Sequence, residues 1–328
     1  MLQDRQGRTI NNLRVSVTDR CNFRCTYCMP EEGLQWLPKS EILSFEEILR
    51  LVEAAMALGV TKVRLTGGEP LLRKNLDRLI RMLVDLPALD DISLTTNGLL
   101  LGDQAPALHA AGLRRINVSL DSLDANTFRQ IAKRGSLQQV LGSLETAGRY
   151  FEGPVKVNAV IMRGINDHEI EAFADLARRH SFEVRFIEFM PLDAQNEWTR
   201  DQMITGEEIR RRIDSVYPLD RDPKSPPTAP SRDYVFRDGT AGKVGFINSV
   251  TEPFCDSCCR IRITADGKLR TCLFSTRELD LLQPLRNGMS NDKISALIHA
   301  AVWEKEPGHK INSDDFVRAS RPMSQIGG

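Results

Sequence analysis

From residue 13 to about 190 the chain repeats one unit: a short β-rich run, a turn, then a stretch in which apolar residues recur at helical spacing. The runs are Leu13–Val17, Lys62–Thr66, Ile92–Thr95, Ile116–Leu120, Val155–Ile161 and Val184–Phe189. Between the first two, Ser44-Phe45-Glu46-Glu47 has the form of a capping box, and Ile48, Val52 and Ala55 follow on one helical face until Gly59 ends the pattern. Strands alternating with helices predict a parallel sheet. Six such units are too few for a closed eight-stranded barrel but follow its plan. The expectation is an α/β fold, an open, partial (β/α)6 TIM-like barrel over residues 1–190, with functional residues gathered where strands end and loops begin.

After Met190 the repeat stops. The stretch from Asp222 to Pro230 is too rich in proline for a helix or a central strand. Beyond it, Tyr234–Arg237 and Lys243–Ile247 read as a hairpin around Asp238-Gly239, and Arg260–Thr264 with Lys268–Thr271 as another around Asp266-Gly267. Residues 191–328 are expected to form a smaller C-terminal α+β region closing the open side of the barrel.

Composition narrows the classes of function. Lys plus Arg and Asp plus Glu are equal at 44 each, so no general pull toward nucleic acid or an anionic membrane is expected and any anion site must be local. Apolar stretches fall far short of the ~20 residues of a membrane span, and the first residues lack the apolar core of a signal peptide. A cytoplasmic protein is expected. In that compartment seven cysteines, an odd number, point to metal or redox chemistry in place of disulfides. Three lie near the start (Cys21, Cys25, Cys28), four near the end (Cys255, Cys258, Cys259, Cys272), and none between. The five histidines match no ligand spacing.

Cys21-Asn-Phe-Arg-Cys25-Thr-Tyr-Cys28 follows directly on the first expected strand. Three thiolates so spaced can hold three irons of a [4Fe–4S] cluster and leave the fourth open to a small chelating molecule. The competing reading is zinc, but structural zinc takes four ligands, and the nearest histidine is His109. The motif, with an aromatic residue before its third cysteine, resembles the radical S-adenosylmethionine superfamily. Gly67-Gly68-Glu69-Pro70, at the end of the second strand, is similar to that superfamily's glycine-rich edge. The resemblance implies that S-adenosylmethionine chelates the open iron and is cleaved by one electron to methionine and a 5′-deoxyadenosyl radical. It implies Tyr27, Gly68, Ser119 and Met190 as the cofactor pocket.

Phe254-Cys255-Asp-Ser-Cys258-Cys259-Arg260-Ile261-Arg262, followed by Cys272, is similar to the C-terminal cluster of the GTP 3′,8-cyclase family, which opens molybdenum cofactor biosynthesis. Further matches are Leu13-Arg14, Val63–Pro70, Thr95–Gly98, Val155–Asn158, Arg185–Glu188 and the terminal Gly327-Gly328. The resemblance implies a lyase with a second [4Fe–4S] cluster on Cys255, Cys258 and Cys272. It places GTP on Arg14, Arg64, Thr95, Lys156, Arg260, Ile261 and Arg262, with Lys62 and Arg185 as phosphate neighbours and the tail reaching into the active site. Several arginines suit a substrate that carries about four negative charges. Cys21, Cys25, Cys28, Arg260 and Arg262 are the implied catalytic set. The implied reaction removes the ribose 3′ hydrogen and joins C3′ to guanine C8. The product passes to cyclic pyranopterin monophosphate synthase, and a flavodoxin or ferredoxin supplies electrons to a monomer or homodimer.

The sequence departs from the family at position 259, where cysteine stands in place of the usual asparagine; a free thiol beside the cluster is expected. Two other readings stand beside this one: a radical enzyme that modifies a peptide, and a non-enzymatic redox protein. The first would be expected to carry more C-terminal cysteines and an acidic or apolar groove in place of Arg260-Ile-Arg262, and the second has no need for Gly67-Gly68-Glu69-Pro70 or a barrel.

Overall fold

The capping box that opens the first helix is formed in full. Ser44 Oγ accepts from the Glu47 amide at 3.1 Å, and the Glu47 carboxylate accepts from the Ser44 amide at 2.7 Å. Two of the donors that a helix start leaves open are thereby satisfied reciprocally. Helix α1 (Phe45–Met56) buries Ile48, Leu51, Val52 and Ala55, and the chain leaves it through Gly59 at φ +107°, a conformation suited to glycine. The structure is a computed structural model and describes residues 1–328 except 194, 227 and 328.

The six expected runs are strands β1 (Asn12–Ser16), β2 (Lys62–Thr66), β3 (Asp91–Thr96), β4 (Arg115–Ser119), β5 (Lys156–Ile161) and β6 (Glu183–Glu188). All are parallel. The crossovers after α1 are made by α2 (Leu76–Val84), α3 (Leu101–Ala110), α4 (Ala125–Ala132) with α5 (Leu137–Tyr150), and α6 (Ile170–His180). The remainder holds α7 (Gly206–Val216), β7 (Leu219–Arg221), β8 (Arg232–Phe236), β9 (Lys243–Ile247), β10 (Arg260–Ile263), β11 (Lys268–Arg270), β12 (Leu279–Asp280), α8 (Leu282–Arg286), α9 (Asn291–Trp303) and α10 (Met323–Ile326).

Both expected hairpins form, as β8–β9 and β10–β11, and each also joins the main sheet. β9 lies parallel to β6 and β10 parallel to β1, giving one twelve-stranded sheet in the order β12-β11-β10-β1-β2-β3-β4-β5-β6-β9-β8-β7. The C-terminal strands therefore widen the six-strand sheet at both edges.

Along each parallel strand the two faces differ in character. Leu13, Val15, Val63, Leu65, Leu94 and Val118 face the helices and belong to the main apolar core. The alternate positions are polar: Asn12, Arg14 and Ser16 on β1, Arg64 and Thr66 on β2, Asn117 and Ser119 on β4, Lys156 and Asn158 on β5. Arg64 on β2 feels the charge of Arg185 on β6. In a flat sheet strands four apart lie about 19 Å from each other, so the sheet curls around a polar lumen.

The lumen has two mouths. The Cys21–Cys28 loop leaves the C-terminal end of β1, whereas Cys258 and Cys259 lead into β10, whose Arg260 is in register with Asn12 at the opposite end of β1. The two cysteine sets thus face each other along the length of β1, roughly 15 Å of extended chain.

Candidate active site

At the first mouth, the Cys25 carbonyl accepts from the amides of Cys28 at 2.9 Å and Met29 at 3.0 Å, a turn that brings the second and third cysteines together. Arg24 donates to the carbonyls of Cys21 at 2.9 Å and Phe23 at 2.7 Å and stacks on Trp36, 5.4 Å from its ring centre, which fixes the loop from behind. Burial pushes the thiols up, Cys21 to about 11, Cys28 to about 12 and Cys25 well above its ordinary value, and the neighbouring thiols add to the effect at Cys25 and Cys28. Ser324 of α10 lies beside Cys28 and works the other way.

Around this loop the strand ends are locked together. The Tyr27 hydroxyl donates to Asp121 Oδ2 at 2.6 Å, and Asp121 Oδ1 accepts from the Val160 amide at 2.8 Å, which pins the aromatic ring to the ends of β4 and β5. Burial raises the Asp121 carboxyl to about 6 against those two hydrogen bonds. Glu69 accepts from Leu71 N at 2.9 Å, Thr96 Oγ1 at 2.7 Å and Asn97 N at 2.7 Å, joining β2 to β3, and burial raises it to about 7. At Gly68 a Cβ would lie 2.4 Å from the Arg20 carbonyl oxygen, so glycine alone lets the two loops approach. A small cleft beside Cys25 is lined by Tyr27, Asn97, Ser119, Asp121 and Phe128. Met190 stands apart from that cleft and packs with Leu192, Met203 and Ile326.

At the second mouth, Arg8 is buried in an ion pair with Asp4 at 2.6 Å, and its guanidinium donates to the carbonyls of Cys255 at 2.8 Å, Pro307 at 2.9 Å and Glu306 at 2.6 Å. Burial raises the Cys255 thiol, while the His309 backbone opposes the rise through a hydrogen bond. At Cys258 burial is overcome by the charges of Arg260 and Lys305 and by hydrogen bonds from Arg260, which bring the thiol down to about 7. The Cys259 carbonyl accepts from the amides of Asn11 and Asn12, so its backbone continues the sheet; its thiol is half-buried.

Between the mouths the lumen is cationic. Burial lowers Arg14 well below the ordinary arginine value, and the charges of Arg262, Arg64 and Arg260 lower it further, with the Cys258 thiol opposing them. Burial and neighbouring arginines also take Arg262 to about 9 and Arg64 to about 10. Arg262 donates to the Gly327 carbonyl, and a Cβ at Gly327 would lie 2.2 Å from Ser16 Oγ, so the C-terminal tail reaches the lumen wall at a position that only glycine fits. Gly328 lies outside the described residues. Lys156 pairs with Glu183 at 2.8 Å, and Arg185 pairs with the same carboxylate. Thr95 faces Asn117 one strand away, and Asn117 faces Lys156. Ile261 turns its side chain into the main core, so only its backbone borders the lumen.

Sequence reasoning passed over Glu69 as a lock, Asp121, Ser16 and Thr66. The alternation of polar with apolar residues along strands flanked by helices is the signal that finds the last two.

The residues present suit the groups that such a site implies. Among the described residues no three Cys, His, Asp or Glu side chains close around one point as a single ion requires. A four-iron cube instead gives each thiolate its own iron, which loops with three thiols can satisfy. Buried polar atoms without a protein partner gather in the lumen, at Asn12, Arg14, Ser16, Thr66, Asn117 and Asn158, as a polar ligand would use.

A partial barrel with a three-cysteine loop on its first strand defines an enzyme of the Radical SAM superfamily, whose profile matches residues 15–177; that of Molybdenum Cofactor Synthesis C matches residues 182–311. The chain is similar over its whole length to GTP 3′,8-cyclases. The protein of Paenarthrobacter nicotinovorans is 46% identical over 344 residues, covering 97% of that relative, and that of Thermodesulfovibrio yellowstonii is 45% identical over 332 residues, covering 100%. Among solved structures, Streptococcus suis SuiB bound to S-adenosylmethionine shares the fold with a TM-score of 0.60 at 13% identity, over 95% of this chain and 75% of that one. Native anSMEcpe with bound AdoMet gives 0.58 at 14% identity, over 91% and 82%. The chain belongs to the GTP 3′,8-cyclase family. Among the described residues no helix is long and apolar enough to cross a membrane.

Proposed function

We propose that this chain is a cytoplasmic lyase that converts GTP to 3′,8-cyclo-7,8-dihydro-GTP for molybdopterin synthesis, using two [4Fe–4S] clusters and S-adenosylmethionine. Residues 1–190 hold the first cluster on Cys21, Cys25 and Cys28, and residues 191–328 hold the second on Cys255, Cys258 and Cys272. When bound, the first cluster supplies the electron that cleaves S-adenosylmethionine to the radical that takes the ribose 3′ hydrogen.

The protein's own residues do the rest. Tyr27, held by Asp121, together with Gly68 and Ser119 confines the cofactor at the first mouth, with Met190 beyond β6. Arg14, Arg64, Lys156, Arg260 and Arg262 bind the triphosphate, and Thr95 and the Ile261 backbone orient the nucleoside. Cys259 stays a free thiol. Arg262, held by the Gly327 carbonyl, presents its charge at mid-lumen. Because the substrate lies between the two mouths, its ribose faces the radical while its base faces the second cysteine set. The product goes to cyclic pyranopterin monophosphate synthase, and a flavodoxin or ferredoxin provides reducing equivalents.

The observation that carries this reading is the buried arginine group between the two sets of three cysteines. The test is anaerobic incubation of reconstituted protein with S-adenosylmethionine, GTP and a reductant. Cyclised product with one 5′-deoxyadenosine per turnover is expected; 5′-deoxyadenosine formed without any GTP-derived product would refute it.

A further inference from the structure

The segment after α9 puts a buried ammonium between the two strands that carry the second cysteine set. Lys305 is 3% exposed. Its Nζ donates to the carbonyl of Arg260 at 3.2 Å and to the carbonyl of Thr271, one bond on each side of the loop pair. Arg260 stands two residues after Cys258, and Thr271 immediately precedes Cys272. Among the described residues Lys305 has carbonyl partners and no carboxylate at ion-pair distance. A buried cation held by carbonyls alone is costly unless negative charge lies close by.

The neighbouring carboxylate does not fill that role by direct contact. Glu306 turns to the hydroxyls of Thr271, at 2.6 Å, and Ser275. Through those two carbonyls the ammonium sits beside the backbones that lead from Cys258 and into Cys272. Three thiolates around a [4Fe–4S] core of charge 2+ would leave about one net negative charge at this spot, and reduction would add one more.

We propose that Lys305 is a positioning residue for the second cluster, bracing the strands of Cys258 and Cys272 and acting as the buried counter-charge that favours the cluster's reduced state. This rests on the assignment of Cys255, Cys258 and Cys272 given under the proposed function. The charge of a lysine near iron–sulfur ligands raises the reduction potential, and that of a carboxylate lowers it. Glu306 therefore acts with the opposite sign from the adjacent position.

The experiment isolates the second cluster in the full-length C21A/C25A/C28A variant, reconstituted with iron and sulfide. Iron content is measured, and the midpoint potential is followed by electron paramagnetic resonance. In that background Lys305→Met is expected to shift the midpoint to more negative values, Glu306→Gln to more positive values, and Lys305→Arg to restore it. A merely structural role does not give opposite signs for adjacent residues. If the background variant binds no iron, the ligand assignment fails and this inference with it. If iron binds and Lys305→Met leaves the midpoint unchanged, or both charge-removing variants shift it the same way, the assignment stands and the role of Lys305 is overturned. Should Lys305→Met not take up iron, Lys305→Arg and Glu306→Gln decide: a wild-type midpoint in the first with a positive shift in the second upholds the role, and any other pair of results ends it.

Discussion

At the scale of single residues, the two mouths differ in how readily their thiols ionise. Burial holds Cys21 at about 11 and Cys28 at about 12, whereas Arg260 and Lys305 bring Cys258 to about 7. In metal-free protein at pH 7.5, iodoacetamide should therefore alkylate Cys258 at least about 10-fold faster than Cys21 or Cys28, since the thiolate is the reacting form. The Cys258 rate itself should fall about 10-fold per pH unit below 7, while its advantage narrows only as pH rises toward 11 and the other thiols ionise; mass spectrometry of the labelled peptides reads both. Equal labelling of all three would contradict the electrostatic contrast. Arg14 offers a second test, because its burial and its arginine neighbours both disfavour its charge until an anion arrives. Replacing it, Arg14→Met, should leave the ligand-free melting temperature equal or higher and weaken GTP binding by ~10- to 100-fold, the worth of one charge-assisted contact. A calorimetric titration with unchanged affinity would remove Arg14 from the substrate site.

At the scale of elements, Glu188 holds the end of β6 against two C-terminal segments. It is 1% exposed and accepts from the amides of Gly206 at 3.2 Å, Val250 at 2.8 Å and Thr251 at 2.9 Å, and from the Thr251 hydroxyl. Glu188→Ala leaves these buried donors open, at about 1–3 kcal/mol each before relaxation, so a loss of about 3 kcal/mol in urea unfolding is expected. A change below about 0.5 kcal/mol would mean that water replaces the carboxylate. The elements themselves were largely legible from the chain, because local signals specify them: the Ser44 and Glu47 capping box, and the turns at Asp238-Gly239 and Asp266-Gly267. What the chain did not disclose is pairing across long separations. Nothing near Lys243 or Arg260 says that β9 and β10 extend the sheet beside β6 and β1, since that choice is made by two edges that exist only once the first six strands have assembled. The cysteine spacing was readable for a related reason: Cys21, Cys25 and Cys28 lie on one loop, and Cys255 and Cys258 on another, with Cys272 brought back to them by the short β10–β11 hairpin. Lys305 was not readable, because its partners, Arg260 and Thr271, come from elsewhere in the chain.

For the whole molecule, the placement of the cysteine sets at opposite ends of β1 predicts a separation of tasks. Cys25→Ser should abolish 5′-deoxyadenosine formation, whereas Cys272→Ser should retain some cleavage of S-adenosylmethionine and lose the cyclised product. If both variants lose both activities while remaining folded, the two mouths do not work independently. The tail adds a third check, because Gly327 sits against Ser16 and bonds to Arg262 inside the lumen. Residues appended after Gly328 should remove cyclisation and spare uncoupled cleavage, measured by chromatography of both products. The β1–β10 ladder also has a consequence in time. Asn12 must await Arg260, about 250 residues downstream, so at 5–20 residues per second the first strand leaves the ribosome roughly 10–50 s before its partner exists. Throughout synthesis the arginines of β1 and β2 line a half-built trough open to water, and the first cysteine loop emerges long before the wall that will shelter it. A cell making this protein in air thus faces its greatest oxidative hazard on the nascent chain, and iron loading is best deferred until the last strand has closed the edge.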